Sequence, residues 1–270
     1  MTNHDESDYI SDDYEHLTPG IYYAVTRVPG KDAPEDLFEK FKNGCECTDL
    51  CTLENNCSCL KFGQNYRTNE NHLTLLKNKF GNSPVFECNF QCGCFKKNCN
   101  NRYVQFGPFK HLKIFKTDAK GFGLKTEKDI TSGTYICEYA GEVIGLEEAK
   151  RRQEINKSEN KMNYIFILKE HCENKDLVTC VDPSVIGNIG RYINHSCEPN
   201  SAIVPVRVND LVPWLCIFAI RDIKANEEIC YDYSGCFKDI VEIDKDMNDR
   251  IPCLCGAQTC KKWLPYDVNI

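Results

Sequence analysis

Nineteen of the 270 residues are cysteines, and their placement constrains the fold more than any other feature. Nine lie in two clumps, Cys45, Cys47, Cys51, Cys57 and Cys59, then Cys88, Cys92, Cys94 and Cys99. A third clump, Cys253, Cys255 and Cys260, stands near the C-terminus. An oxidising compartment would pair such residues in disulfides, but the count is odd and the first residues lack a basic start followed by an apolar run. Where thiols stay reduced, cysteines at Cys-x-Cys spacing bind metal. Zinc takes four thiolates in a tetrahedron, and nine cysteines do not divide into separate fours. If three of them bridge, the nine supply enough ligand positions for three zinc ions. The C-terminal three are one ligand short, and Cys197, in Asn194-His195-Ser196-Cys197, is the candidate fourth. The competing reading of Cys197 beside a histidine, an activated nucleophile, ranks lower because no protease or transferase signature surrounds it. Cys137, Cys172, Cys180, Cys216, Cys230 and Cys236 lie mostly in or beside strand-like segments and read as small core residues.

Between the clumps, from about Arg102 to Tyr233, runs a body of short β-type segments bounded by Gly, Pro and Asn. Lys113–Lys116, Thr134–Cys137, Tyr164–Leu168, Leu177–Val181, Ala202–Val208 and Trp214–Ala219 are the predicted strands. One helix is predicted over Leu146–Asn156, with a charged, solvated face. The connection from Leu60 to Glu87 is polar, holds Gly63, Gly81 and Pro84, and reads as loop. Residues 1–20 form an acidic, disordered lead-in, and Phe237–Arg250 a mobile loop or short helix. No apolar run approaches the ~20 residues of a membrane span. The net charge of −7 argues against autonomous binding to nucleic acid and suits a cationic partner.

The body carries five motifs in order: Lys120-Gly121-Phe122-Gly123, Glu138-Tyr139-Ala140-Gly141-Glu142, Asn163-Tyr164, Arg191-Tyr192-Ile193-Asn194-His195-Ser196-Cys197 and Tyr231-Asp232-Tyr233. Set between cysteine clusters, they resemble the pre-SET, SET and post-SET regions of histone-lysine methyltransferases over about Gly44 to Pro265. The resemblance implies a mainly β fold of several small sheets, with a knot-like substructure around 191–197. It implies an N-terminal segment and pre-SET zinc cluster at 21–101, a SET domain at 102–236, a linker at 237–252 and a post-SET zinc region at 253–270. It further implies three zinc ions in the first cluster and one in the last.

S-adenosylmethionine is the implied methyl donor, with Lys120, Gly121, Phe122, Gly123, Tyr164, Arg191, Asn194 and His195 lining its site. Tyr139, Tyr164, Tyr231 and Tyr233 are the implied catalytic residues, Tyr233 foremost. A tyrosine-lined channel suits the chemistry. Only a neutral lysine amine attacks, and neutralising it at pH 7 costs about 4 to 5 kcal/mol in water; desolvation lowers that cost. Tyrosine at 231 implies mainly mono- or dimethylation. The expected partner is a histone tail, H3 by preference, or a nucleosome, in the nucleus. Rival readings are a non-histone protein lysine as substrate, and a catalytically silent chromatin module. A zinc hydrolase would need an open metal position, which all-cysteine clusters do not offer.

Overall fold

The computed structural model describes residues 19–48, 50–69, 72–81, 83–171, 176–234 and 250–265. The lead-in up to residue 18, Cys172, Cys236 and most of the 237–252 linker lie outside them. Two short strands open the chain, β1 (Tyr22–Tyr23) and β2 (Val28–Pro29), followed by β3 (Tyr66–Asn69), β4 (His72–Leu75) and β5 (Val85–Phe86). The body continues with β6 (Leu112–Lys116), β7 (Phe122–Thr126), β8 (Tyr135–Glu138) and β9 (Gly141–Ile144). After helix α1 (Leu146–Ser158) come β10 (Phe166–His171), β11 (Asp176–Gly187) and β12 (Asn194–His195). The last strands are β13 (Ser201–Arg207), β14 (Trp214–Ala219) and β15 (Glu228–Tyr231).

Each of the six predicted strands overlaps an observed one, and Trp214–Ala219 matches end to end. The strands form small sheets, as predicted. One runs β1-β11-β9-β2 with β10 also on β11, a second β12-β15-β7-β6, a third β5-β13-β14-β8, and β3-β4 is a separate hairpin. Strand β11 serves three partners, β1, β9 and β10, and is interrupted along its length. Pro183 has no N–H to give a ladder, and the register with β9 shifts between Asp182 and Gly187.

Two expectations are corrected. The Leu60–Glu87 stretch is not loop throughout, since it holds the β3–β4 hairpin, a helical turn at Lys77–Lys79 and β5. Its strands escape a hydrophobicity reading because Arg67, Thr68 and Asn69 are all exposed, while Tyr66, Thr74 and Leu75 are buried. The charged face of α1 is not wholly solvated either. The Glu148 side chain is only 2 % exposed, held by Arg151, Arg152 and Lys31 at 2.7, 2.9 and 3.0 Å.

The main core gathers Leu124, Ile136, Val181, Ile193, Ile217 and Ile229 from all three body sheets, with Tyr139 and Tyr231 at its margin. The cysteine-rich N-terminal part is joined to the body by β5, parallel to β13 through Val85↔Val206 and Phe86↔Arg207. The next residue, Glu87, is buried and accepts from Tyr66 Oη (2.7 Å), the Tyr103 and Val104 amides (2.7 and 2.9 Å) and Gln105 Nε2 (2.8 Å). Four donors on one carboxylate offset the cost of burying it. Among the described residues, no helix is long and apolar enough to cross a membrane.

Candidate active site and metal centres

Tyr139 follows β8 and donates its hydroxyl to the Tyr164 carbonyl at 2.6 Å. Tyr231 ends β15, with its ring centroid 6.3 Å from Tyr139 and 4.8 Å from Tyr233. Phe166 completes the aromatic wall at 6.2 Å from Tyr139 and 6.3 Å from Tyr231. The sequence reading missed Phe166. Its signal was the spacing of two residues from Tyr164, which returns an extended chain to the same face. Tyr139 and Tyr231 are almost fully buried, whereas Tyr233 is 37 % exposed, so the cluster opens at Tyr233. Tyr233 donates from Oη to the Ile193 carbonyl at 2.9 Å and from its amide to His195 Nδ1 at 3.2 Å. Burial raises all three phenols, Tyr139 and Tyr231 well above the usual value. They are neutral hydroxyls at physiological pH, suited to hydrogen bonding and not to acting as bases.

Arg191 is buried, with its guanidinium 4.6 Å over the Tyr164 ring and 5.0 Å over Tyr192. Its Nε donates to the Pro183 carbonyl at 3.1 Å, so it is no surface ion pair. One carboxylate links two of the predicted residues, and Asn194 extends the link to a third. Glu228 accepts from Lys120 Nζ at 2.6 Å and from Asn194 Nδ2 at 2.8 Å, and Asn194 Nδ2 also donates to the Phe122 carbonyl at 3.1 Å. Lys120 to Gly123, Asn194 and His195 are thereby gathered where β7, β15 and β12 adjoin. The two glycines have separate reasons. Gly121 has φ +74°, and a Cβ on Gly123 would stand 3.0 Å from Glu228 Oε1, Phe115 and Thr117. Glu228 was not foreseen, since a lone acid in a strand carries no motif. Phe122 turns inward, its ring 6.2 Å from Tyr192.

The cysteines assemble as their spacing requires. Cys45, Cys51 and Cys88 form a triangle with Sγ separations of 3.8, 4.0 and 3.6 Å, and Cys59 stands 3.5 Å from Cys92. All nine N-terminal cysteines fall into overlapping foursomes whose sulfurs lie within 4.8 Å of one another. Cys197, Cys253, Cys255 and Cys260 form a further foursome of the same kind. The surroundings suit thiolates. The Cys45 and Asn89 amides donate to Cys92 Sγ at 3.3 and 3.2 Å, and Arg102 reaches Cys94 Sγ at 3.7 Å. Without a metal, burial pushes the Cys47 thiol up to about 12, while bonds from Cys59 and Cys88 draw Cys92 down to about 2. Bound cations would stabilise every sulfur as thiolate, so the donor set fits zinc.

His195 joins the tail foursome to the aromatic cluster. Its Nδ1 accepts from Tyr233, so Nε2 carries the proton and faces Cys197 Sγ at 3.4 Å. Burial holds its pKa below the ordinary value, which keeps it neutral. Among the other cysteines, Cys137, Cys180 and Cys216 are buried in the core as expected, and Cys230 is half-buried.

The SET domain family model matches residues 121–234, and the Pre-SET motif model matches residues 5–102. A Bos taurus protein described as histone-lysine N-methyltransferase SETMAR is 43 % identical over 254 residues, covering 92 % of this chain and 82 % of its own. The crystal structure of the methyltransferase domain of human SETMAR superposes with a TM-score of 0.80 at 40 % identity, covering 95 % of this chain and 93 % of that one. A structure of KRYPTONITE with mCHH DNA, an H3(1-15) peptide and SAH superposes with a TM-score of 0.69 at 27 % identity, over 95 % of this chain and 50 % of that one. With both family models matched and identity above 40 % over nearly the whole chain, this protein belongs to the SET-domain histone-lysine N-methyltransferases, which act with S-adenosylmethionine.

Proposed function

We propose that the enzyme transfers one or two methyl groups to a lysine of histone H3 within a nucleosome, in the nucleus. The observation that carries this reading is the narrow cluster of Tyr139, Phe166, Tyr231 and Tyr233. Such a wall disfavours ammonium over amine by desolvation, and it adjoins the Lys120–Gly123 and Asn194–His195 segments. The KRYPTONITE complex, which holds an H3 peptide and SAH, supports both the substrate and the donor.

S-adenosylmethionine, when bound, supplies an electrophilic methyl on its sulfonium. Asn194 and His195 have their side chains committed, so their backbone is what they offer an adenine. Among the described residues the Arg191 side chain bonds only the Pro183 carbonyl, through Nε, which leaves its other nitrogens for a carboxylate. Tyr139 Oη on the Tyr164 carbonyl, and Tyr233 Oη on that of Ile193, hold the rings so that carbonyl and hydroxyl oxygens would orient an incoming amine. Alignment and fixed dipoles of this kind account for most of the expected rate. Tyr231 adds a hydroxyl that takes up the space a third methyl would need.

For the metals, the nine N-terminal cysteines would together hold three zinc ions, with Cys45, Cys51 and Cys88, whose sulfurs form the triangle, shared between them. Cys197, Cys253, Cys255 and Cys260 would hold a fourth. The test is labelled S-adenosylmethionine with recombinant nucleosomes, wild type beside Tyr233→Phe. We expect label on H3, reduced about 100-fold or more in the mutant, the scale of losing an oriented donor. Label on other proteins of an extract but not on histones would favour a non-histone substrate.

A further inference from the structure

We propose that the β6–β7 hairpin is a docking surface for the DNA phosphates of the nucleosome that presents the substrate tail. This rests on the nucleosomal reading above and deepens it. From Lys110 to Asp129 the chain carries six lysines, Lys110, Lys113, Lys116, Lys120, Lys125 and Lys128, against Asp118, Glu127 and Asp129, in a protein of net charge −7. The fold concentrates them further. Strand β6 is the edge of its sheet, and Lys113 lies directly opposite Lys125. Both are on the face where Lys125 Nζ stands 5.6 Å over the Phe115 ring. The Glu127 amide donates to the His111 carbonyl at 2.8 Å, which brings Lys110 and Lys128 to the same end of the hairpin.

Little of this charge is neutralised. Lys113 reaches Glu127 at 3.5 Å and Lys120 pairs with Glu228, whereas Lys110, Lys116, Lys125 and Lys128 have no ion pair among the described residues. Lys110, Lys113, Lys116 and Lys128 are exposed. Like charges directly opposite on a ladder are destabilising, and a single lysine already suffices to protect an edge strand. A polyanion would relieve the repulsion. DNA is the polyanion at hand, since it wraps the histone core. Strand β15, which ends at Tyr231, is two strands away in the same sheet, about 10 Å at sheet spacing. The overall negative charge keeps such a contact weak alone, so it acts by adding to the affinity of the tail.

The experiment compares Lys110→Glu/Lys116→Glu/Lys128→Glu with Lys150→Glu/Lys157→Glu/Lys161→Glu, an equal charge change on and just after α1. Each is assayed on nucleosomes and on an H3 tail peptide. The hairpin variant should raise the nucleosome KM about tenfold or more and flatten its dependence on salt, each lost phosphate contact removing about one from the logarithmic slope. Its peptide kinetics should match wild type, and the α1 variant should match on both substrates. The proposal is overturned by an unchanged nucleosome KM, by equal losses in the two variants, or by parallel losses on peptide and nucleosome. Wild-type enzyme inactive on both substrates would instead remove the H3 reading beneath it.

Discussion

Tyr231 and Tyr233 are two residues apart on one strand end, yet one is 3 % exposed and the other 37 %. That difference separates their roles. In the reaction proposed above, Tyr233 would meet the incoming amine at the open end, while Tyr231, packed against Tyr139 and Phe166, would limit the volume behind it. Tyr231→Phe should shift the product toward higher methylation states, with total turnover little changed. Mass spectrometry of the histone checks this, and an unaltered product distribution would refute the volume argument. Phe166 and Glu228 belong at the same scale. Both touch residues named by motif, and neither belongs to a motif of its own, because each role comes from a neighbour more than 50 residues away, Tyr231 for Phe166 and Lys120 for Glu228.

At the scale of elements, α1 is held by charge more than by apolar packing. Glu148 binds Arg151 and Arg152, and Arg152 also reaches Glu142 on β9 and Asp182 on β11 at 2.8 Å. Bonds from Arg151 and Arg152 hold the Glu148 carboxyl well below its usual range. A depressed carboxylate contributes stability that is present above the unfolded value of about 4.3 and is lost as pH falls through the folded value. Glu148→Gln should therefore destabilise the protein by about 2 kcal/mol at neutral pH, the scale of hydrogen bonds to a charged group. That corresponds to a Tm lower by about 4 to 8 °C. Calorimetry at pH 7 and pH 3 checks both size and sign, since the gap between variant and wild type should narrow in acid.

The whole molecule carries two cysteine clusters fit for metal, of unequal exposure. The proposed bridging sulfurs belong to Cys45, Cys51 and Cys88, at 3, 0 and 0 % exposed, whereas Cys197, Cys253, Cys255 and Cys260 are all half-buried. A limiting chelator should remove about one zinc first, as read with a metal indicator, and abolish methylation while the far-UV spectrum stays native. Excess chelator should then release about three more and unfold the N-terminal part, because structural zinc supplies much of the folding free energy of so small a unit. Full activity after loss of the first zinc would separate the tail from catalysis. Such a coupling would run through His195, which faces Cys197 on one side and the Tyr233 amide on the other.

Cysteine spacing alone determined that metal clusters flank a β-rich body, because ligand geometry depends on short local distances that spacing encodes. The five motifs likewise marked Tyr139, Tyr164, Arg191, Asn194, His195, Tyr231 and Tyr233 before any fold was known. Only the tertiary structure decided the rest. It made Glu228 the link between Lys120 and Asn194, buried Glu148, and turned the polar 60–87 stretch into a hairpin and a docking strand. These depend on partners distant in sequence, and on burial that a polar pattern does not announce. Local chemistry is written along the chain, but the pairing of distant charges and strands is set by the energy of the assembled molecule.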